Sequence, residues 1–324
     1  MNQSSAGGSA SAGGARHEGA CLAWGGAYML AEQPLPEWAS GRRVVAVGGQ
    51  TGRPVHDVAL ITGTDGWITI QAKKGLNLGE AEESALGEAL AQLVKIYKAG
   101  VPSELGAPGM RSIDTARDRV LILTDAAAPQ TIVNGLVPVT DRLRDLPASV
   151  PIADVPKNDT ERRALRLLTG HLARCWREEH GSEMNEADLH AMCAVLAVYR
   201  MDFSDGGPHR ATAVLLLDSL RDDSQDATAI WRDLEVEAQR LAEERSYLDR
   251  DGLVRKLENQ GVALRPAALK GAKTAIWLRP ARSSPVITAS CGRLVLADQA
   301  AEDRVPDDAR RGERHDIRCV QRGA

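Results

Sequence analysis

The chain has 324 residues, 43% of them apolar and 26% charged, the balance of a globular protein with material for about two cores. Forty basic against 44 acidic side chains leave a formal net charge of −4, which argues against wholesale electrostatic capture of nucleic acid and leaves only a local basic strip for such contact. Aromatic residues make up 3%, with Phe203 the one phenylalanine, so the cores must be aliphatic and base-stacking platforms are disfavoured.

Residues 1–13 are rich in Ser, Gly and Ala and lack a basic n-region and an apolar h-region. They are expected to form a disordered leader and not a signal peptide. A helical pattern follows over 16–32, carrying Cys21, Leu22, Trp24, Tyr28, Met29 and Leu30, and Pro34 and Pro36 end it. Residues 43–47 read as a short strand, and 48–52 as a glycine-rich turn without the lysine of a P-loop. Two more strands are expected at 55–61 and 66–73, joined by a turn over 62–66. In 80–99, Leu86, Leu90, Leu93, Val94 and Tyr97 recur at helical spacing, and Gly100 and Pro102 stop that helix. The apolar run 119–125 has the composition of a central strand covered on both faces, and 129–143 reads as a helix. These elements describe an α/β domain over 14–150.

Residues 146–158 hold Pro147, Pro151 and Pro156 and read as a linker. Beyond it the apolar period becomes 3.6 throughout. Leu165, Leu168, Leu172 and Trp176 mark one helix, and Leu189, Met192, Cys193 and Leu196 a second. Val214, Leu217 and Leu220 mark a third, and Ile230, Leu234 and Leu241 a fourth. Asp249 or Asp251 caps a fifth, which stops at Gly261. The expectation is an all-helical domain over 158–265 that regulates or oligomerises the first, followed by an irregular tail over 266–324 with a weak strand at 293–296. Five scattered cysteines (21, 175, 193, 291 and 319) read as reduced thiols, which together with the absence of any membrane-length apolar run points to the cytoplasm. The pairs His171/Cys175 and His190/Cys193 have the spacing of zinc ligands on a helix face, although Cys193 also belongs to an apolar stripe.

The chemistry concentrates on the two strands. Side chains alternate between faces along a strand, so Gln71 and Lys73 share a face and can meet Asp57 from the neighbouring strand. An acid, a carbonyl ligand and an ammonium gathered at a sheet edge suit metal-assisted phosphodiester hydrolysis. Asp57 is the principal Mg²⁺ ligand (Mn²⁺ being the alternative), Gln71 or a neighbouring carbonyl completes the shell, and Lys73 positions the attacking water. Lys74 faces the opposite side, toward solvent or a DNA backbone.

Gly13-Gly14-Ala15-Arg16 leading into a helix with Gly19, then His56-Asp57-Val58, then Ile70-Gln71-Ala72-Lys73 resembles the restriction-endonuclease-like PD-(D/E)xK superfamily. Within it, residues 13–145 resemble the N-terminal effector nuclease of bacterial antiphage proteins, a double-stranded DNA nuclease fused elsewhere to SAVED sensor domains or STAND-type NTPases. The resemblance implies a restriction-like α/β fold and a catalytic set of Asp57, Gln71 and Lys73. It adds Glu18 as an extra metal ligand and Arg16 as a phosphate contact. Two departures stand out. Ala20-Cys21-Leu22 replaces the family's aromatic-Gln, and His56-Asp57 stands where two acids often stand. No Gly-x-x-x-x-Gly-Lys-Ser/Thr follows the helical region. The expected function is a Mg²⁺-dependent DNA endonuclease of a defence system, acting on double-stranded DNA as a homo-oligomer or with a sensor or NTPase subunit. The alternative is a catalytically silent scaffold on the same fold that binds a partner in a defence complex.

Overall fold

The structure, a computed structural model, describes residues 5–49, 57–105 and 109–265, with side chains from residue 13 onward. Helix α1 (Ser5–Leu30) starts inside the stretch expected to be a disordered leader. Ala6, Ala10, Ala12 and Ala15 are strong helix formers, and extending an established helix costs far less than nucleating one. From His17 to Leu30 every residue of α1 is buried, as in a helix enclosed by a core and not laid on a surface.

Strands β1 (Val44–Gly49), β2 (Val58–Thr62) and β3 (Trp67–Lys73) form an antiparallel meander. Val55 and His56 of the expected second strand lie outside the described residues, as do 50–52 of the glycine-rich turn, whose Gly48 and Gly49 belong to β1. Helix α2 (Ala85–Ala99) then starts at Ser84, whose side chain accepts from the Gly87 N–H. It leads through the small β4 (Val101–Pro102) and β5 (Met110–Arg111) hairpin to β6 (Arg119–Thr124), which pairs parallel to β3. The helix expected over 129–143 is divided. Residues Ile132–Leu136 form a π-turn, and α3 (Val137–Arg144) follows with a proline in its first turn. Pro138 has no N–H to donate back along an α-helix, so the chain changes its hydrogen-bond spacing just before it. Within the expected linker, Ile152–Asp154 makes a 3₁₀ turn, and Ile152 and Val155 are buried in the core instead of running free.

The second half of the chain corrects the expectation of a separate all-helical domain. Helices α4 (Asp159–His180) and α5 (Glu186–Val195) are followed directly by β7 (Leu196–Arg200), which pairs parallel to β6. After α6 (Pro208–Asp218) and α7 (Ala227–Glu244), β8 (Tyr247–Asp249) pairs antiparallel with β1, and α8 (Arg250–Glu258) follows. Among the described residues the sheet therefore has six strands in the order β7-β6-β3-β2-β1-β8, with strands from both sides of the expected boundary. The physical reason lies in α1. Its far side is as apolar as its sheet side, and Ala213, Leu217, Ile230, Trp231, Leu234, Leu253 and Leu257 of α6, α7 and α8 cover it. One sheet face carries Val58, Leu60, Ile68, Ile70, Leu121 and Leu123 toward α1. The other carries Ala59, Ile61, Trp67, Val120 and Ile122 into a core with α2, α3 and α4. Residues 266–324, with the weak strand at 293–296, lie outside the described residues.

Helix α7 lies flush against the end of β1. A Cβ on Gly49 would stand 2.6 Å from the Ala242 Cα and 2.9 Å from its N, both backbone atoms that cannot swing aside. Gly49→Ala is therefore expected to destabilise the protein by about 1–3 kcal/mol, the usual cost of overpacking. Urea unfolding followed by far-UV circular dichroism measures it, and an unchanged midpoint would mean that α7 is free to retreat.

Candidate functional site

The β2–β3 register pairs Val58 with Ile70, which sets Asp57 opposite Gln71 where the two strands end. The Asp57 N–H donates to the Ile70 carbonyl at 3.1 Å, and Asp57 Oδ2 accepts from the Ala72 N–H at 2.8 Å. The carboxylate thus stands in for a main-chain carbonyl and extends the ladder by one bond. Burial raises the Asp57 carboxyl pKa above its ordinary value, and the Ala72 N–H and the Lys73 charge offset this only in part.

Ile70 and Ala72 pack toward α1, so strand alternation turns Gln71 and Lys73 to the α2 side. Gln71 is buried at 1% exposure. Lys73 Nζ lies 3.7 Å from Glu88 Oε2 on α2. It borders a cleft of about 380 Å³ between α2 and α4 that Glu82, Glu83, Glu88, Glu178 and Arg174 also line, with Arg174 paired to Glu82 and Glu178. Asp57, Gln71 and Lys73 therefore lie at the same end of the β2–β3 pair, with Asp57 bonded to the Ala72 main chain and Lys73 turned into the cleft.

Glu18 stands on α1. It is buried, as is Cys21 nearby on the same helix, whose thiol pKa is raised first by burial and then by the Asp57 and Glu18 charges. One turn earlier, His17 Nε2 donates to the Leu123 carbonyl at 3.3 Å, and burial lowers its pKa despite the Asp125 charge nearby. Lys74 and Arg16 flank this cluster without entering it. Lys74 is exposed over α1, where a Cβ on Gly13 would stand 2.8 Å from its Nζ. Arg16 is exposed, and its charge reaches Glu235 on α7.

The turn after Lys73 is fixed by contacts that strand spacing does not signal. Asp125, at the end of β6, accepts the Gly75 N–H at 2.9 Å, and Thr124 Oγ1 accepts the Leu76 N–H at 3.1 Å. Gly75 has φ +63°, a conformation that favours glycine, so this short turn can leave the strand abruptly. Asp125 and Glu88 are the functional candidates that strand-by-strand reading misses. The one available signal for Glu88 is its place on the polar face of the amphipathic α2.

Among the described residues, no group of three or more His, Cys, Asp or Glu is placed to hold a metal ion. A cation at this site would draw on the Asp57 and Glu18 carboxylates, the Gln71 amide oxygen and a neighbouring main-chain carbonyl. Oxygen donors of these types are the ones that Mg²⁺ or Mn²⁺ takes. The zinc spacings do not assemble. His171 Nε2 donates to the Gly79 carbonyl at 2.8 Å, and burial pushes the Cys193 thiol up to about 12. No protein-family model matches the chain, and no curated protein matches it. No helix among the described residues is long and apolar enough to cross a membrane.

Proposed function

We propose that the protein is a metal-dependent DNA endonuclease with its site at Asp57, Gln71 and Lys73. The observation that carries this reading is the position of Asp57, Gln71 and Lys73 at one end of the β2–β3 pair, where the Asp57 carboxylate accepts the Ala72 N–H and feels the Lys73 charge. The order of one helix, three antiparallel strands, a helix and a parallel strand supports the finer reading of a restriction-endonuclease-like core.

Asp57 and Glu18 would hold the divalent ion, with Gln71 as a neutral oxygen donor. When bound, the ion would supply Lewis-acid stabilisation of charge on the scissile phosphate. Lys73 holds a positive charge at the strand end, where it orients the attacking water and offsets the negative charge that grows on the phosphoryl oxygens. The Asp57 bond to Ala72 keeps the carboxylate aligned with the end of β3. The assignment to antiphage defence, and activation by pairing of protomers or by a partner subunit, rest on the resemblance over residues 13–145.

The competing reading, a silent scaffold on the same fold, draws support from the acidic lining around Lys73, which disfavours a polyanion. Supercoiled plasmid incubated with the purified chain and Mg²⁺ or Mn²⁺, at protein concentrations high enough to favour pairing, separates the two. Nicked and linear products are expected, and Lys73→Ala should slow their appearance about a hundredfold. Binding without cleavage under every condition would leave the scaffold standing.

A further inference from the structure

Lys73 lies within electrostatic reach of two carboxylates. Its charge reaches Asp57 at the strand end, and its Nζ lies 3.7 Å from Glu88 Oε2 in the cleft. That separation exceeds a good charge-assisted hydrogen bond, so the pair is held by Coulomb attraction and not by fixed geometry. The two partners differ in freedom. The Lys73 side chain is 23% exposed on a strand, whereas that of Glu88 is 56% exposed and can swing into solvent. Glu88 also sits in the first turn of α2, where the helix dipole favours a carboxylate, so it has a stable resting place beside Lys73.

Resting on the nuclease reading, we infer that Glu88 restrains Lys73: it holds the ammonium on the cleft side until a DNA phosphate displaces it. Glu88 is then a positioning residue that weakens DNA engagement in the resting chain. A phosphate approaching Asp57 competes with Glu88 for the same positive charge, and the winner is decided by local electrostatics. Glu83 provides an internal control. It lines the same cleft and carries the same charge, but it makes no ion pair among the described residues.

The test is binding of a short fluorescent duplex by anisotropy, in Ca²⁺ to hold the DNA uncut, with Glu88→Gln, Glu83→Gln, Lys73→Ala and the Lys73→Ala/Glu88→Gln pair. Glu88→Gln is expected to tighten binding about two- to fivefold, the range for releasing one exposed ion pair. Glu83→Gln should do less, and the gain from Glu88→Gln should vanish when Lys73 is alanine. Equal gains from Glu88→Gln and Glu83→Gln would reduce the effect to general repulsion and overturn the restraint. A gain that survives without Lys73 would also overturn it. A chain that cuts plasmid but shows no such coupling loses only the restraint. One that shows the coupling yet never cuts with Mg²⁺ or Mn²⁺ loses the enzyme reading and keeps the restraint as a feature of binding. Failure of every form to bind duplex sinks both.

Discussion

Asp57→Asn is expected to lower the proposed cleavage activity roughly a thousandfold while leaving the unfolding midpoint near that of the parent protein. A carboxylate that holds a catalytic cation contributes several kcal/mol to stabilising the transition state, and each 1.36 kcal/mol is a tenfold change in rate. Asparagine removes that charge but keeps an oxygen for the Ala72 N–H, the bond that ties the end of β2 to β3. Asp57→Ala removes both, so it should also lose about 1–3 kcal/mol of stability through the orphaned donor. The pH dependence should separate them further. Burial raises the native pKa of Asp57, so the folded chain binds the proton more tightly than the unfolded one. Stability therefore falls as pH rises from the ordinary aspartate value through the raised one, and Asp57→Asn should abolish that part of the slope. Plasmid cleavage and urea unfolding of the two variants, side by side, test the assignment. Equal stability loss in both with residual cleavage would make Asp57 a strand cap and nothing more.

How far the sequence predicts this arrangement depends on how local each signal is. The strand at Trp67–Lys73 and the helix at Ala85–Ala99 are legible because period-2 and 3.6-residue patterns sit between clear turns. The placing of Asp57 opposite Gln71 follows from that alternation and the turn over 62–66, so it too is legible. The two strands of the second half are not. Leu189, Met192, Cys193 and Leu196 keep helical spacing, yet the backbone turns extended at Leu196, and only Val198 and Tyr199 hint at the change. Tyr247–Asp249 is too short to show any period and runs straight into the cap of α8. Nor does the pattern say that α1 is buried all round, because an amphipathic template looks for one apolar face. Asp125 and Glu88 escape for another reason. Their partners, Gly75 and Lys73, are brought near by the turn after β3 and the placing of α2, neither of which leaves a trace in residue spacing. Once β7 is in the sheet, the loop ahead of β1 also acquires a purpose. Trp38 stacks on Tyr199 at 4.0 Å between ring centres, which covers part of that edge strand.

The largest stability effect is expected at the opposite end of β3, at Asp118. The residue is 1% exposed, and its side chain accepts four hydrogen bonds: from Trp67 N at 2.9 Å, Asp114 N at 2.7 Å, and Arg111 through its two terminal nitrogens at 2.6 and 2.8 Å. This carboxylate starts the β3–β6 pairing, because Trp67 is the first residue of β3 and Arg119 the first of β6. It also anchors the loop between β5 and β6 through Asp114 N, and Arg111 in turn ties it to the β2–β3 turn by donating to the Asp65 carbonyl at 2.7 Å. Asp118→Ala strands a largely enclosed guanidinium and two main-chain donors at once. Removing one partner of a buried, hydrogen-bonded ion pair typically costs about 3–5 kcal/mol. Asp118→Asn should fall between, because the amide can still accept from Trp67 while it meets Arg111 without charge. Urea unfolding of the three forms measures this, and a loss below about 1 kcal/mol for the alanine variant would mean that water or a neighbouring group takes over the vacated bonds. Asp118 lies at the far end of β3 from Lys73. Provided that Asp118→Ala still folds at the assay temperature, it should keep the proposed cleavage activity at close to the parental rate, whereas Asp57→Asn should lose that activity and keep its stability. That crossed pattern separates a residue that holds the sheet together from one that works at its edge, and a variant that lost both properties would show that strand pairing at one end governs geometry at the other.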